Sequence, residues 1–215
     1  MRQSQQPGAL PDDLFGAPDP DELELAAGVD EAGRGPLAGP VYAAAVILDP
    51  ARPIEGLRDS KKLTAEKREE LAAVIKERAL AWSIACSSAQ EIDRTDILRA
   101  TMRAMAEALE GLSVQPRCVL VDGNRTPPYR KAPVVTIVKG DDKVQCISAA
   151  SILAKTAHDA VFDEYEREYP GYGFAQHKGY GTKQHIEAIA ARGVLPVHRK
   201  TFEPIRSLIE SNRKA

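Results

Sequence analysis

Acidic residues recur where apolar runs end. Asp30 and Glu31 follow Leu25-Ala26-Ala27-Gly28-Val29, Asp122 follows Cys118-Val119-Leu120-Val121, and Asp141 lies just beyond Val134–Val138. A lone Asp-Gly after a strand is usually a turn. Repeated delivery of carboxylates to strand ends points to a shared site, because such charges are costly there unless a cation neutralises them. Four hard oxygen donors match what Mg²⁺ or Mn²⁺ takes. A glycine lies within two positions of every one of these acids, and Gly33-Arg34-Gly35 follows the first pair after Ala32. Glycines let a phosphate-bearing backbone come close. The pattern proposes metal-assisted chemistry on a phosphodiester.

Competing chemistries fit less well. A dinucleotide-binding turn needs Gly-x-Gly-x-x-Gly between a strand and a helix. Here the third glycine, Gly39, comes one residue late, Pro36 intervenes, and Val41–Leu48 reads as strand. The four histidines have no zinc-ligand spacing, and there is no Cys-x-x-Cys. One geometric condition remains. Neighbours on a regular strand point to opposite faces, so Asp30 and Glu31 share a site only if the strand ends or twists beside Gly28 and Gly33.

The elements that would carry these groups alternate. Strands are expected at Leu25–Val29, Val41–Leu48, Ala81–Cys86, Cys118–Val121 and Val134–Val138. Helices are expected over Ala65–Ala79 with Thr64 as N-cap, Asp96–Leu109 with Gly111 as stop, Ile147–Glu168, Lys183–Ala191 stopped at Gly193, and about Glu203–Ser211. Pro170–Gly173 breaks the long helix, and Gln176–Gly181 reads as loop. Strands interleaved with helices give an α/β class.

The 215 residues make one ordinary domain, and 43% hydrophobic content supports a real core. No apolar stretch has membrane-spanning length, so no membrane partner is expected. Residues 1–24 have no signal-peptide design and read as a disordered tail, leaving 25–215 as the catalytic unit with a helical portion from about 170. Cys86, Cys118 and Cys146 lie in apolar contexts without paired spacing, as reduced core thiols of a cytoplasmic protein do. The net charge of −2 hides an asymmetry: without residues 1–24 the chain has 28 basic and 25 acidic residues. A polyanionic ligand would need locally placed basic groups. His198-Arg199-Lys200 reads as a surface basic run that could touch a duplex backbone.

Six segments, Gly28–Pro40, Asp59–Leu63, Val121–Asn124, Lys139–Asp141, Ser148–Lys155 and His177–Gly181, together resemble bacterial ribonuclease HII, in that family's order, from about residue 25 to about 207. The resemblance implies an RNase H-like fold, a central mixed sheet flanked by helices with a C-terminal helical portion. It implies cleavage of the RNA strand of RNA/DNA hybrids and incision 5′ of single ribonucleotides in duplex DNA, with two Mg²⁺ or Mn²⁺ ions and 5′-phosphate and 3′-OH products, by a monomer. The family's metal-ligand acids fall on Asp30, Glu31, Asp122 and Asp141. The choice of Asp141 over Asp142 rests on the Lys139-Gly140-Asp141 match. Gly33, Arg34 and Gly35 match the loop whose main chain reads the ribose 2′-OH, the group that separates RNA from DNA. Tyr180 matches a tyrosine that stacks on the following deoxyribose. Ser60, Lys61, Lys62 and Ser148 become candidate substrate contacts, although Ser148 and Ser151 could simply cap and pack the long helix. Ribonuclease HIII is similar but has lysine in place of Arg34 and a folded N-terminal domain. A different RNase H-like nuclease, such as a junction resolvase, and a non-catalytic duplex binder are rival readings of the same residues.

Overall fold

Alternation along β1 (Ala26–Ala32) decides how the layers assemble. Ala27 and Val29 point into one apolar cluster and Ala26 into another on the opposite face, as the two-residue period of a strand requires. Both faces of β1 are therefore buried. It sits at the centre of a five-stranded mixed sheet with β2 (Val41–Ile47), β3 (Ala81–Ser87), β4 (Cys118–Asp122) and β5 (Val134–Ile137), in the order β3-β2-β1-β4-β5. The β1–β2 and β2–β3 pairs are antiparallel, and the β1–β4 and β4–β5 pairs are parallel. The computed structural model describes residues 25–212. The tail expected over 1–24 lies outside them.

Helices cover both faces. α1 (Ala65–Arg78) starts at Thr64, whose side chain accepts from the Lys67 N–H, and buries Leu71, Ala72 and Ile75. A short α2 (Ala89–Arg94) carries a capping box between Ser88 and Glu91. α3 (Ile97–Glu110) packs Ala104, Met105, Ala108 and Leu109 against Ala27, Val29, Ala43 and Ala45. On the other face, α4 (Gln145–Glu168) packs Ala149, Ala150, Ile152 and Leu153 with α1 against Ala44 and Val46. Its small first turns matter. A Cβ on Gly28 would lie 2.1 Å from the Cys146 carbonyl carbon and 2.3 Å from the Ile147 nitrogen. Only a glycine in β1 lets α4 lie so close.

The chain then forms α5 (Phe174–His177), α6 (Lys183–Arg192) and α7 (Ile205–Asn212). They gather around Phe162, Tyr172, Phe174, Ile189 and Ile205 and enclose Leu37 and Ala38 from the loop after β1.

Several expectations need correction. β1 runs through Asp30 and Glu31 to Ala32 instead of stopping at Val29, because β2 keeps pairing with it up to Ala32↔Tyr42. α2 and α5 are too short to show helical periodicity, and the final helix starts at Ile205. Cys86 is exposed, since β3 is an edge strand, while Cys118 and Cys146 are buried. His198 and Arg199 are not a surface run: both are fully buried, the first in a histidine pair and the second against backbone carbonyls.

Candidate active site

The parallel pairing of β1 with β4 ends at Val29↔Val121, one residue before Asp30 and Asp122. Asp30 thus sits beside Asp122 at the carboxyl ends of adjacent parallel strands, where α/β sheets collect functional groups. β5 ends next to them at Ile137, the register partner of Asp122. A tight 3₁₀ turn, Gly140–Asp142, then brings Asp141 across. The Gly140 N–H donates to Asp122 Oδ1 at 2.7 Å, and Ser148 Oγ donates to the Asp141 carbonyl at 2.7 Å. The result is a cluster in which one carboxylate oxygen each of Asp30, Asp122 and Asp141 lies within 4.8 Å of the others.

The electrostatics fit a cation. Burial pushes the Asp30 carboxyl well above its ordinary range, and repulsion from Glu31 and Asp122 adds to this. Asp141 is raised first by burial, then by Asp122. Glu31 is also raised by burial, although the Arg34 guanidinium pulls the other way from 3.3 Å. A buried set of hard anionic oxygens that repel one another is relieved by a divalent ion. The side chains present therefore fit Mg²⁺ or Mn²⁺. Asp142 is different. Its carboxylate bonds Lys62 Nζ at 2.7 Å, which lowers its pKa, and it is not part of the cluster. Glu31 also stands outside the close trio, joined to it by charge and by its N–H, which donates to Asp30 Oδ1 at 2.7 Å.

Around the acids lie the other predicted residues. Arg34 and Gly35 are exposed, and Gly33 is buried with φ +93°. Tyr180 is 43% exposed, and the open side of Gly35 faces its ring, 3.4 Å from where a Cβ would be. Lys155 Nζ lies 6.0 Å from the centre of the same ring. Lys61 is exposed and close enough to lower the pKa of both Glu31 and Asp141.

The family model of ribonuclease HII matches residues 27–205. The chain belongs to the ribonuclease HII family. It is similar to a ribonuclease HII of Laribacter hongkongensis, 61% identical over 189 residues that cover 87% of this chain and 96% of the relative. A ribonuclease HII of Chromobacterium violaceum is 59% identical over 88% of this chain and 96% of its own length. The crystal structure of ribonuclease H2 from Pyrococcus horikoshii OT3 superposes with a TM-score of 0.74 at 29% identity, covering 88% of this chain and 99% of that one. This ribonuclease HII-family chain is thus a ribonuclease H: a metal-dependent endoribonuclease of RNA/DNA hybrids with an RNase H-like fold.

Within the family frame, two serines need another role. Ser60 and Ser148 are 2% and 3% exposed, and their hydroxyls are engaged inside the protein. Ser148 bonds the Asp141 carbonyl. Ser60 Oγ lies 2.9 Å from Ser151 Oγ, and Ser151 is placed to pull the raised pKa of Asp30 back down. Ser151 was legible in the sequence only as a packing serine. Its partners are 91 and 121 positions away, and no local pattern marks such a contact. Asp159 joins local partners on its own helix to one 91 positions away, Arg68. Burial raises its pKa, but His158 and Lys155 outweigh that and hold it down at about 2; it also pairs with Arg68 at 3.1 Å.

Proposed function

We propose that this enzyme incises duplex DNA on the 5′ side of an embedded ribonucleotide, as well as cutting the RNA strand of RNA/DNA hybrids, with two divalent ions, Mg²⁺ or Mn²⁺. The acids Asp30, Glu31, Asp122 and Asp141 would hold the ions. One observation carries the reading: a largely buried trio of carboxylates opens beside a loop that buries Gly33 and exposes Arg34 and Gly35, and beside a half-exposed Tyr180. Bound divalent ions supply an acidified water and neutralise charge on the leaving 3′ oxygen. Asp30, held by the Glu31 N–H, is aimed before substrate arrives. Main-chain groups at Gly33, Arg34 and Gly35 meet the 2′-OH. The Tyr180 ring stacks on the next sugar, where a second 2′-OH would collide. Lys61 and Lys62 are exposed cations beside the acids and contact flanking phosphates. The products are a 5′-phosphate on the ribonucleotide and a 3′-OH upstream.

No helix among the described residues is long and apolar enough to cross a membrane. We place the enzyme in the cytoplasm as a monomer. The test is cleavage of end-labelled duplexes, mapped to the nucleotide, with and without Mg²⁺ or Mn²⁺. The substrates are a duplex with one ribonucleotide, an RNA/DNA hybrid, a four-way DNA junction and an all-DNA duplex. Cleavage 5′ of the single ribonucleotide that needs metal supports the proposal. Inertness on that duplex in both metals, or equal cutting of the junction, would refute it.

A further inference from the structure

Arg199 is fully buried, yet among the described residues no carboxylate forms an ion pair with it. Its guanidinium donates instead to three backbone carbonyls: Nε to Gly39 at 3.0 Å, Nη1 to Arg34 at 2.9 Å and Nη2 to Gly33 at 2.5 Å. A buried cation held by neutral oxygens is an expensive way to fasten a loop. Its effect on direction is specific. In a trans peptide the carbonyl and the following N–H point opposite ways. Fixing the Gly33 and Arg34 carbonyls inward therefore turns the N–H groups of Arg34 and Gly35 outward. Both residues are exposed, and neither N–H has a hydrogen-bond partner among the described residues. The guanidinium also polarises both peptides, which strengthens the outward donors. Gly33 completes the device. Its φ of +93° suits glycine, and a Cβ there would sit 2.3 Å from the His158 ring.

The neighbouring residue holds the second reading group. The Leu195 N–H donates to His198 Nδ1 at 2.8 Å, so neutral His198 carries its proton on Nε2. That proton is shared with His185 Nε2 at 3.1 Å, which leaves His185 Nδ1 to donate to the Tyr180 carbonyl at 2.9 Å. Main-chain bonds tie the strips together, from Arg199 N to the Leu37 carbonyl and from Leu37 N to the Gly179 carbonyl, both 2.8 Å.

Building on the function proposed above, we propose that Arg199 is a positioning residue for ribose selection: it presents the N–H groups of Arg34 and Gly35 as a paired donor for a 2′-oxygen, in register with Tyr180. Arg199→Lys keeps the charge but loses the fork that spans three carbonyls. The full-length enzyme in Mg²⁺ gives a KM for a duplex with one ribonucleotide, and the all-DNA duplex of the same sequence gives a competitive Ki. In Arg199→Lys, KM rises about tenfold, the worth of one or two hydrogen bonds, while kcat and Ki stay near wild type. An unchanged ratio of Ki to KM, or a parallel rise in both constants, overturns the proposal. A second measurement needs no variant. In wild-type enzyme without divalent ion, amide exchange at Arg34 and Gly35 slows when the ribonucleotide duplex binds but not the all-DNA duplex; equal protection, or none, overturns it too. Failure of the underlying function reads differently, as a wild-type enzyme whose Ki matches its KM.

Discussion

Asp30 is 5% exposed and faces two like charges, and burial is the larger of the forces raising its pKa. A carboxyl whose folded pKa is raised adds stability below the ordinary carboxylate range and loses it as pH rises through the raised value. At neutral pH the metal-free cluster is therefore under strain. Asp30→Asn removes one charge and keeps an oxygen for Ser151 and the Glu31 N–H. Its melting temperature without metal should exceed that of wild type, the gain that Mn²⁺ gives wild type should vanish, and cleavage should fall roughly a hundredfold or more. Retention of near-normal turnover in Mg²⁺ would rule out the ligand role. Because ligands bind metal deprotonated, activity at fixed metal should also decline as pH falls. Asp141 and Asp142 make a sharper pair. Asp141→Asn should cripple cleavage in the same assay. Asp142→Asn breaks only an exposed contact with Lys62 and should stay close to wild type. Equal losses would mean that Asp142 also serves the metal site. The acids were legible because strand ends show in sequence as apolar runs meeting charge. Arg199 was not: its partners Gly33, Arg34 and Gly39 are 160 or more positions away, and its neighbours His198 and Lys200 disguise it as surface.

Two elements carry the geometry, β1 and the start of α4. The long helix brings Ser148 to the Asp141 carbonyl and Ser151 to Asp30, and it does so because Gly28 leaves it no side chain to climb over. Gly28→Ala would place a methyl within 2.4 Å of three backbone atoms at Cys146 and Ile147, which cannot rotate away. The helix must lift off the strand. Overpacking of this kind costs about 3 kcal/mol, the upper end of its range, and the lift separates Ser151 from Asp30. Urea unfolding should show the loss of stability, and calorimetric Mn²⁺ titration of the folded variant in plain buffer should show weaker binding. A variant as stable as wild type would contradict the packing described. The long amphipathic helices and the alternating strands could be read from periodicity, since their signal extends over several turns or pleats. α2 spans six residues and α5 four, so neither offers a full repeat. The continuation of β1 past Val29 depends on β2, a partner that periodicity within β1 cannot report.

The molecule joins a sheet that holds the acids to a helical portion that holds the proposed reading groups, and the two parts respond to acid with opposite sign. In the helical portion, burial lowers the pKa of His185 and His198 to about 4 each, with repulsion from neighbouring histidines adding to it. Unfolded histidine titrates near 6.5. Their neutral forms thus contribute stability that is complete above about pH 6.5 and is lost as pH falls towards about 4. Protonation of either ring would put two N–H groups face to face across the 3.1 Å contact and undo the chain to the Tyr180 carbonyl. In the sheet, the raised carboxyls of Asp30, Glu31 and Asp141 take up protons over the acid range and relieve their repulsion. Acidifying the metal-free enzyme from neutrality to about pH 5 should therefore loosen α6 and residues 195–199 before it loosens β1 and β4. Hydrogen exchange, corrected for the pH dependence of the intrinsic rate, measures this peptide by peptide. Protection should fall in the helical segments while persisting in the central strands. Junction selectivity should decline with it, because Tyr180 and the Arg34–Gly35 donors are anchored through residues 198 and 199. Loss of protection at the same pH in both parts would show that the histidine pair does not govern the acid response.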